Sequence, residues 1–277
     1  MTMTLKEWLT RHPFLEPIAR LEATVEEVLK VLVEEQFVET NFEPYAADFD
    51  EGIALLMSAA VGPKLLLQSA RTVDSFTLAL SKAPIRDALA SKVRELYEYI
   101  HKTPGQSDPV LVSIATEGEQ ASGLPHPGTA RYIAWTALAH ALAPTIAAFD
   151  AWKEDASWLH GYCPVCGNTP LLSLLTEKEA GRQRSLVCGL CKSQWKVKRL
   201  GCPHCGTEDE DKLGILELAD EPNLRLEVCN GCKGYLKTWA GEGKVAPPFF
   251  SDWATLHLDA IAVERGYLRL GASLYDL

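Results

Sequence analysis

The chain has 277 residues, enough to bury roughly three quarters of the surface its unfolded form exposes, so two domains can stand without metals or disulfides for bulk stability. With 27 basic against 37 acidic side chains, the net charge of -10 excludes a protein whose whole surface attracts nucleic acid or anionic lipid. The opening MTMTLKEWLTRH lacks the charged start, apolar run and small-residue cleavage site of a secretory signal, so the expected compartment is the cytoplasm.

Up to residue 157 there is no cysteine and the periodicity is helical, which predicts an all-α N-terminal domain over 1–157. Ile18, Leu21, Val25, Val28, Leu29 and Leu32 recur every three or four positions between Glu and Lys, the pattern of a helix with one apolar face. A second helix is expected over 53–61, ended by Gly62-Pro63. A third opens at Pro84, a favourable first helical position, and sets Ile85, Leu89, Val93, Leu96 and Ile100 on one face. Residues 103–128 are rich in Pro and Gly and predict a loop, with a short helix in DPVLVSIA. Tyr132 to Phe149 carries no Asp, Glu, Lys or Arg and sits at the lower edge of the length that crosses a bilayer. Alanine gains little from lipid, however, and His140 and Pro144 interrupt the run, so a buried central helix is expected and no membrane insertion.

The texture changes at Gly161. All eight cysteines fall between Cys163 and Cys232, amid short alternating runs such as NLRLEVC, where Leu224, Leu226 and Val228 share one face of a strand. Past Ala240 the pattern turns helical again, with Ser251-Asp252 as capping residues, Trp253, Leu256 and Ala260 on the apolar face, and Gly266 as the stop. The predicted class is α+β: the helical domain, a first four-cysteine ribbon over 158–200, a second over 201–240, and a C-terminal helical segment over 241–277.

The cysteines form four CxxC pairs. CPVCG and CPHCG are one type, VCGLCK and VCNGCK the other, and the two halves are offset by 39 to 41 residues, so one unit has been duplicated. Arg184 and Val187 before the second pair correspond to Arg225 and Val228 before the fourth. Two CxxC knuckles offer the four thiolates that a tetrahedral zinc or iron ion takes, and Gly167 and Gly206 suit the sharp turn after a knuckle's second cysteine. The separations of 21 and 23 residues between knuckles fit a zinc-ribbon or rubredoxin-like hairpin. A duplicated unit that held its own ion predicts sequential pairing: Cys163, Cys166, Cys188 and Cys191 at one site, and Cys202, Cys205, Cys229 and Cys232 at the other. Two metal ions per chain are expected, iron or zinc.

The pair Cys202/Cys205 in GCPHCG could instead be a redox dithiol, but that chemistry needs a helix N-terminus to lower the thiol pKa. Here an acidic turn and a strand-like LGILEL follow, so the pair is assigned as ligands and His204 as an exposed loop residue. Four cysteines leave no open coordination position, and no Ser-His-Asp, HExxH, P-loop or Rossmann pattern occurs, so no catalytic residue and no enzyme activity are predicted. In KSQWKVKRL, Trp195 could stack on a base beside Lys196, Lys198 and Arg199, but an inward-facing Trp195 explains the strand equally, and no nucleic-acid partner is predicted. A third class is a protein-binding accessory factor, with Trp195, Tyr235 and Trp239 either anchoring a partner or packing the ribbons onto each other.

The ordered set CPVCGNTPLL, LVCGLCKSQWKVKRLGCPHCG, LEVCNGCKGYLKTW and DWATLHLDAIAVERGY resembles the formate dehydrogenase accessory protein family, FdhE. These motifs cover about two fifths of the chain; the N-terminal half is similar in helical character and in PFLEPIARLE. The resemblance implies a cytoplasmic maturation factor that binds the catalytic subunit of a respiratory molybdenum- or tungsten-containing formate dehydrogenase before export. It also implies rubredoxin-like sites able to hold iron.

Overall fold

The computed structural model describes residues 4–32, 38–102, 124–153, 158–178, 181–221, 223–241 and 250–275. The chain divides into two compact units, one of residues 17–51, 55–152 and 274–277, the other of residues 1–16, 52–54 and 153–273.

The first unit is helical. It contains α2 (Glu16–Val31), α3 (Ala46–Asp50), α4 (Gly62–Ser81), α5 (Asp87–His101) and α6 (Pro127–Trp152). The periodic face of α2 is mostly half-buried and only Val25 is fully so. Tyr132 of α6 donates a 2.6 Å hydrogen bond to Glu22 and ties the two helices. α6 is the central helix: apolar all round, it buries residues from Ala130 to Phe149 and packs against α4 and α5. It is long and apolar enough to cross a membrane, yet 61% of that stretch is buried inside the fold, as a core helix requires. Phe42, Tyr45, Phe49, Phe149 and Trp152 cluster at one end of it, mostly tilted or edge-on, with ring centroids 5.4–6.1 Å apart.

The helix expected over 53–61 is only a short 3-10 turn at Leu55–Met57, and Gly62-Pro63 begins a helix instead of ending one. Proline is preorganised for the first turn, where its missing N–H costs nothing. Glycine is needed beside it because a Cβ at position 62 would collide with the Leu56 carbonyl. The twenty residues of α4 escape the sequence reading because its buried face includes Ser69, Thr72 and Thr77. Ser69 and Thr77 satisfy their hydroxyls on the carbonyls of Leu65 and Val73, 2.8 and 2.7 Å away. α5 starts at Asp87, three residues beyond the expected Pro84; Ala90, Val93, Leu96 and Ile100 form its buried face, with Ile85 and Leu89 half-buried. The DPVLVSIA segment lies outside the described residues.

The second unit carries a six-stranded mixed sheet: β1 (Pro170–Lys178), β2 (Gly181–Cys188), β3 (Gln194–Val197), β4 (Leu213–Glu217), β5 (Leu224–Cys229) and β6 (Tyr235–Trp239). Each half of the duplicated sequence makes an antiparallel three-stranded ribbon, and in both the first strand meets the cysteine that ends the second, Pro170 opposite Cys188 and Leu213 opposite Cys229. The order β3-β2-β1-β6-β5-β4 joins the ribbons head to tail, through a parallel pairing of β1 with β6 that sets Leu172 opposite Lys237. The fold is therefore α+β: a helical N-terminal region, a sheet bearing the cysteines and a C-terminal helix, α7 (Leu256–Glu264).

One face of the second ribbon, Leu224, Leu226, Val228 and Tyr235, shares a core with Ala254, Leu258 and Ala262. Trp8 of α1 (Leu5–Arg11) and Leu15 join that core, and the Trp8 indole donates to the Ala254 carbonyl at 3.0 Å. The start of the chain, with its capping box of Thr4 and Glu7, thus packs with the second ribbon, although its sequence groups it with the helices. Gly266, at φ 81°, ends α7. Two expectations for α7 are corrected. Trp253 and Leu256 pack half-buried against that core as expected, but Ala260 is exposed and the fully buried positions of α7 are Leu258 and Ala262; and Asp252 makes no side-chain cap. The Asp252 carboxylate instead accepts from Lys237 at 2.5 Å and Ser273 at 2.6 Å. Lys237 is fully buried, and Asp259 at 3.0 Å completes the ion cluster that a buried ammonium requires.

Candidate metal centres

Each knuckle is a tight turn whose backbone aims amides at sulfur. In the first and third, the leading cysteine's N–H binds the carbonyl five residues on, Cys163 to Asn168 at 2.9 Å and Cys202 to Thr207 at 2.8 Å. The following glycine donates back, Gly167 to Cys163 and Gly206 to Cys202, at φ 74° and 73°. In the second and fourth knuckles the left-handed position belongs to lysine, Lys192 at φ 65° and Lys233 at φ 61°. A long L-residue there is uncommon, and its occurrence at the same place in both repeats marks the K of C-x-x-C-K as part of the turn. In the sequence the glycines stand out as turn residues, whereas these lysines stand out only as part of the repeated C-x-x-C-K and not for their left-handed backbone.

The turns bring the eight sulfurs into two groups: Cys163, Cys166, Cys188 and Cys191, and Cys202, Cys205, Cys229 and Cys232, with all ligand atoms of a group within 4.8 Å of one another. Cys163 and Cys191 are 3.5 Å apart at Sγ, Cys166 and Cys188 3.4 Å; the matching pairs of the second group are 3.7 and 3.8 Å apart. Sulfurs at ~2.3 Å from one tetrahedral ion stand about 3.8 Å from each other, whereas a disulfide requires about 2.05 Å. Donor type, number and spacing therefore fit an ion and not disulfides, and each group could hold a metal ion.

The surroundings push the thiols in opposite directions. Burial pushes the thiols of Cys163, Cys191 and Cys202 upward, while sulfur hydrogen bonds, first from Cys163, pull Cys188 well down. At Cys229 burial pushes upward, but the amides of Cys232 and Gly231 with the neighbouring thiols outweigh it and the thiol is lowered. Four thiolates so close can ionise together only around a cation.

The surroundings of the two groups differ. The first is buried at every cysteine, and the Ser193 hydroxyl stands 2.9 Å from Cys163 and 3.2 Å from Cys191. In the second, Gly234 occupies the place of Ser193, Cys205 is exposed and Cys232 half-buried. A cavity of about 480 Å³, formed where the ribbons join, is lined by Cys202 and Cys229. Beside it the duplicated arginines converge on one carboxylate: Arg184 and Arg225 each reach Glu227 at 2.6 Å, one on each oxygen. Arg184 also donates to the Gly201 carbonyl at 2.8 Å, so it fastens the first ribbon to the linker and to the second.

No helix starts at Cys202; a 3-10 turn at Glu210–Lys212 and then β4 follow. His204 corrects an expectation: it is half-buried, its Nε2 lies 3.3 Å from the Tyr235 carbonyl, and burial holds the imidazole below its ordinary pKa. Trp195 and Tyr235 are buried, Trp195 donating to the His160 carbonyl at 3.0 Å and Tyr235 to Asp259 at 2.6 Å. Trp239 is half-buried against Phe250. Trp195 and Tyr235 thus pack the fold and are closed to a partner or a base.

Residues 162–199 match the family described as FdhE, central domain, and residues 188–275 match FdhE, C-terminal domain. Over residues 162–275 the chain is thus similar to FdhE. That region contains all eight cysteines, the Arg184–Glu227–Arg225 clamp and α7. It is similar to the FdhE homolog of Haemophilus influenzae, 37% identical over 120 residues, which is 43% of this chain and 39% of that protein. The homologs of Aquifex aeolicus (29% over 119 residues; 42% of each chain) and Stutzerimonas stutzeri (33% over 156 residues; 54% of this chain, 48% of that one) are similar too. The matches thus span about two fifths to one half of these relatives' own length. The fold likeness reaches further: a crystal structure of the FdhE protein from Pseudomonas aeruginosa has a TM-score of 0.63 at 22% identity, covering 95% of this chain and 88% of that one. It shares the fold of the helices as well as that of the ribbons.

Proposed function

We propose that this chain is a cytoplasmic accessory protein that binds the catalytic subunit of a respiratory molybdenum- or tungsten-containing formate dehydrogenase before its export, and that its ribbons, 158–200 and 201–240, each hold one metal ion. Cys163, Cys166, Cys188 and Cys191 ligate the first ion, Cys202, Cys205, Cys229 and Cys232 the second, and the ion is iron or zinc. The observation that carries this reading is the joining of two four-sulfur groups in one continuous sheet within a region similar to FdhE. A tetrahedron filled by four cysteines leaves no place for an activated water, so the chain acts by binding and performs no catalysis on formate.

The test is recovery of the client. A tagged chain expressed with the formate dehydrogenase should retain the catalytic subunit on affinity resin, and a deletion strain should lose formate dehydrogenase activity. A catalytic subunit never recovered, together with undiminished activity in the deletion strain, refutes the reading.

The exposure of Cys205 favours a second reading for the second ribbon, an iron site that exchanges an electron with a partner. A reversible one-electron potential that shifts when the second ribbon's cysteines are replaced, but not the first's, supports it. Zinc in both sites excludes it.

A further inference from the structure

Outside the cysteine groups, two histidines and a glutamate meet within the ribbon unit. His12 closes α1 as its C-cap, Glu221 lies between β4 and β5, and His257 stands in the first turn of α7. Nε2 of His12 is 3.0 Å from one Glu221 oxygen and Nε2 of His257 is 3.0 Å from the other. The ligand atoms of all three lie within 4.8 Å of one another. The imidazoles are stacked, centroids 4.4 Å apart and 23° from parallel, with Trp8 at 4.2 Å from His12 and Phe14 edge-on at 5.8 Å. The backbone fixes the carboxylate's origin, since the Glu221 amide donates to Leu218 at 3.1 Å and its carbonyl accepts from Leu224 at 2.9 Å.

Charge makes this arrangement more than a packing contact. The Glu221 side chain is 9% exposed, and among the described residues its ion pairs run only to the two imidazoles. Burial, and then the neighbouring His257, hold His12 below the ordinary imidazole range, so its neutral form is favoured. Its Nε2 is buried and makes no hydrogen bond, despite the nearby carboxylate oxygen. A buried carboxylate without a permanent positive partner is costly. Two neutral imidazole nitrogens and one carboxylate are a donor set that zinc takes when its fourth position is left to solvent.

We propose that His12, Glu221 and His257 form a third metal site, binding a borderline divalent cation of the Zn²⁺ class with water in the remaining position. Side-chain exposures of 12% and 13% at the histidines leave a path for that water. Binding requires the stacked rings to turn until both Nε2 lone pairs point to one centre, with bonds of ~2.0–2.1 Å. The site would clip the start of the chain and α7 to the loop that enters the second ribbon.

The full chain, its cysteines already saturated, is dialysed against Zn²⁺ and the bound metal counted. Three ions per chain are expected, and the third should bind at least about 100-fold more weakly in Glu221→Gln and in His257→Ala, more than the loss of an outer-shell partner causes. Thiolate charge-transfer absorption in a cobalt-loaded sample should be unchanged by these substitutions. Two ions in the wild-type chain, or a third that persists undiminished in both variants, overturns the proposal. To keep the test independent of how the variants fold, the imidazole nitrogen signals of His12 and His257 are also followed in the wild-type chain. Both should move on addition of Zn²⁺, and a pair of rings that responds only to pH is a proton-sharing cluster and refutes the site.

Discussion

The two ribbons descend from one duplicated unit and keep the same knuckles, down to the carbonyl five residues past each leading cysteine and the left-handed lysine after each C-x-x-C. Their environments have diverged. The first ribbon's sulfurs are buried and receive a serine hydroxyl; the second ribbon's sulfurs border a cavity, and a glycine stands where the serine was. Conserved turns beside divergent surroundings teach that metal-knuckle geometry and access to the metal are separable. The backbone fixes the first and the packing around it sets the second.

The largest effect should come from removing ligands. Replacing Cys163 and Cys166 by serine removes a contribution on the order of 10–16 kcal/mol, the apparent binding free energy of structural zinc in small peptides. Hydrogen exchange should show β1 to β3 opening while α4 to α6 keep their protection. The matching change at Cys202 and Cys205 should loosen β4 to β6 and also α1, whose Trp8 lies in the second ribbon's core. Equal loosening of both ribbons in both variants would erase the distinction between them.

Next is the clamp at the joint. Glu227→Gln leaves the Arg184 guanidinium, 5% exposed, without its carboxylate, and should cost about 3–5 kcal/mol in denaturant unfolding of the ribbon unit. A smaller change follows from exchanging the residue that distinguishes the sites. Ser193→Gly removes a hydroxyl bonded to two sulfurs and should weaken the first site by about 1.5–3 kcal/mol, measured by metal competition with a chelator, leaving the second unchanged. Smallest is Gly206→Ala. A Cβ there meets nothing within 4 Å, so only the positive φ opposes it, at about 1 kcal/mol by thermal unfolding.

The sulfur grouping was legible because ligation is local: two cysteines three apart make a knuckle whatever surrounds them, and the repeat announced which knuckles go together. Strand β5 was legible because Leu224, Leu226 and Val228 alternate onto one face. What escaped depends on contacts distant in sequence or on polar groups placed inside. α4 hid behind buried serine and threonine hydroxyls bonded to its own carbonyls. The parallel seam of β1 with β6 joins strands from opposite ends of the repeat, and nothing in either strand's pattern names its partner. Asp252 looked like a helix cap, because its sequence position suits one, but the buried Lys237 claims it. The matching positions of Arg184 and Arg225 were visible; their shared carboxylate was not, since Glu227 looks like an ordinary outward residue of an alternating strand.

The most direct test of the account is a cobalt titration of the reduced, metal-free full chain, followed through thiolate-to-metal charge transfer, which reports sulfur-bound ions alone. Saturation is expected at two equivalents per chain, and half that amplitude when either Cys163 with Cys166 or Cys202 with Cys205 is replaced by serine. Saturation at one equivalent, or loss of the whole band on replacing a single pair, would contradict two independent four-cysteine sites.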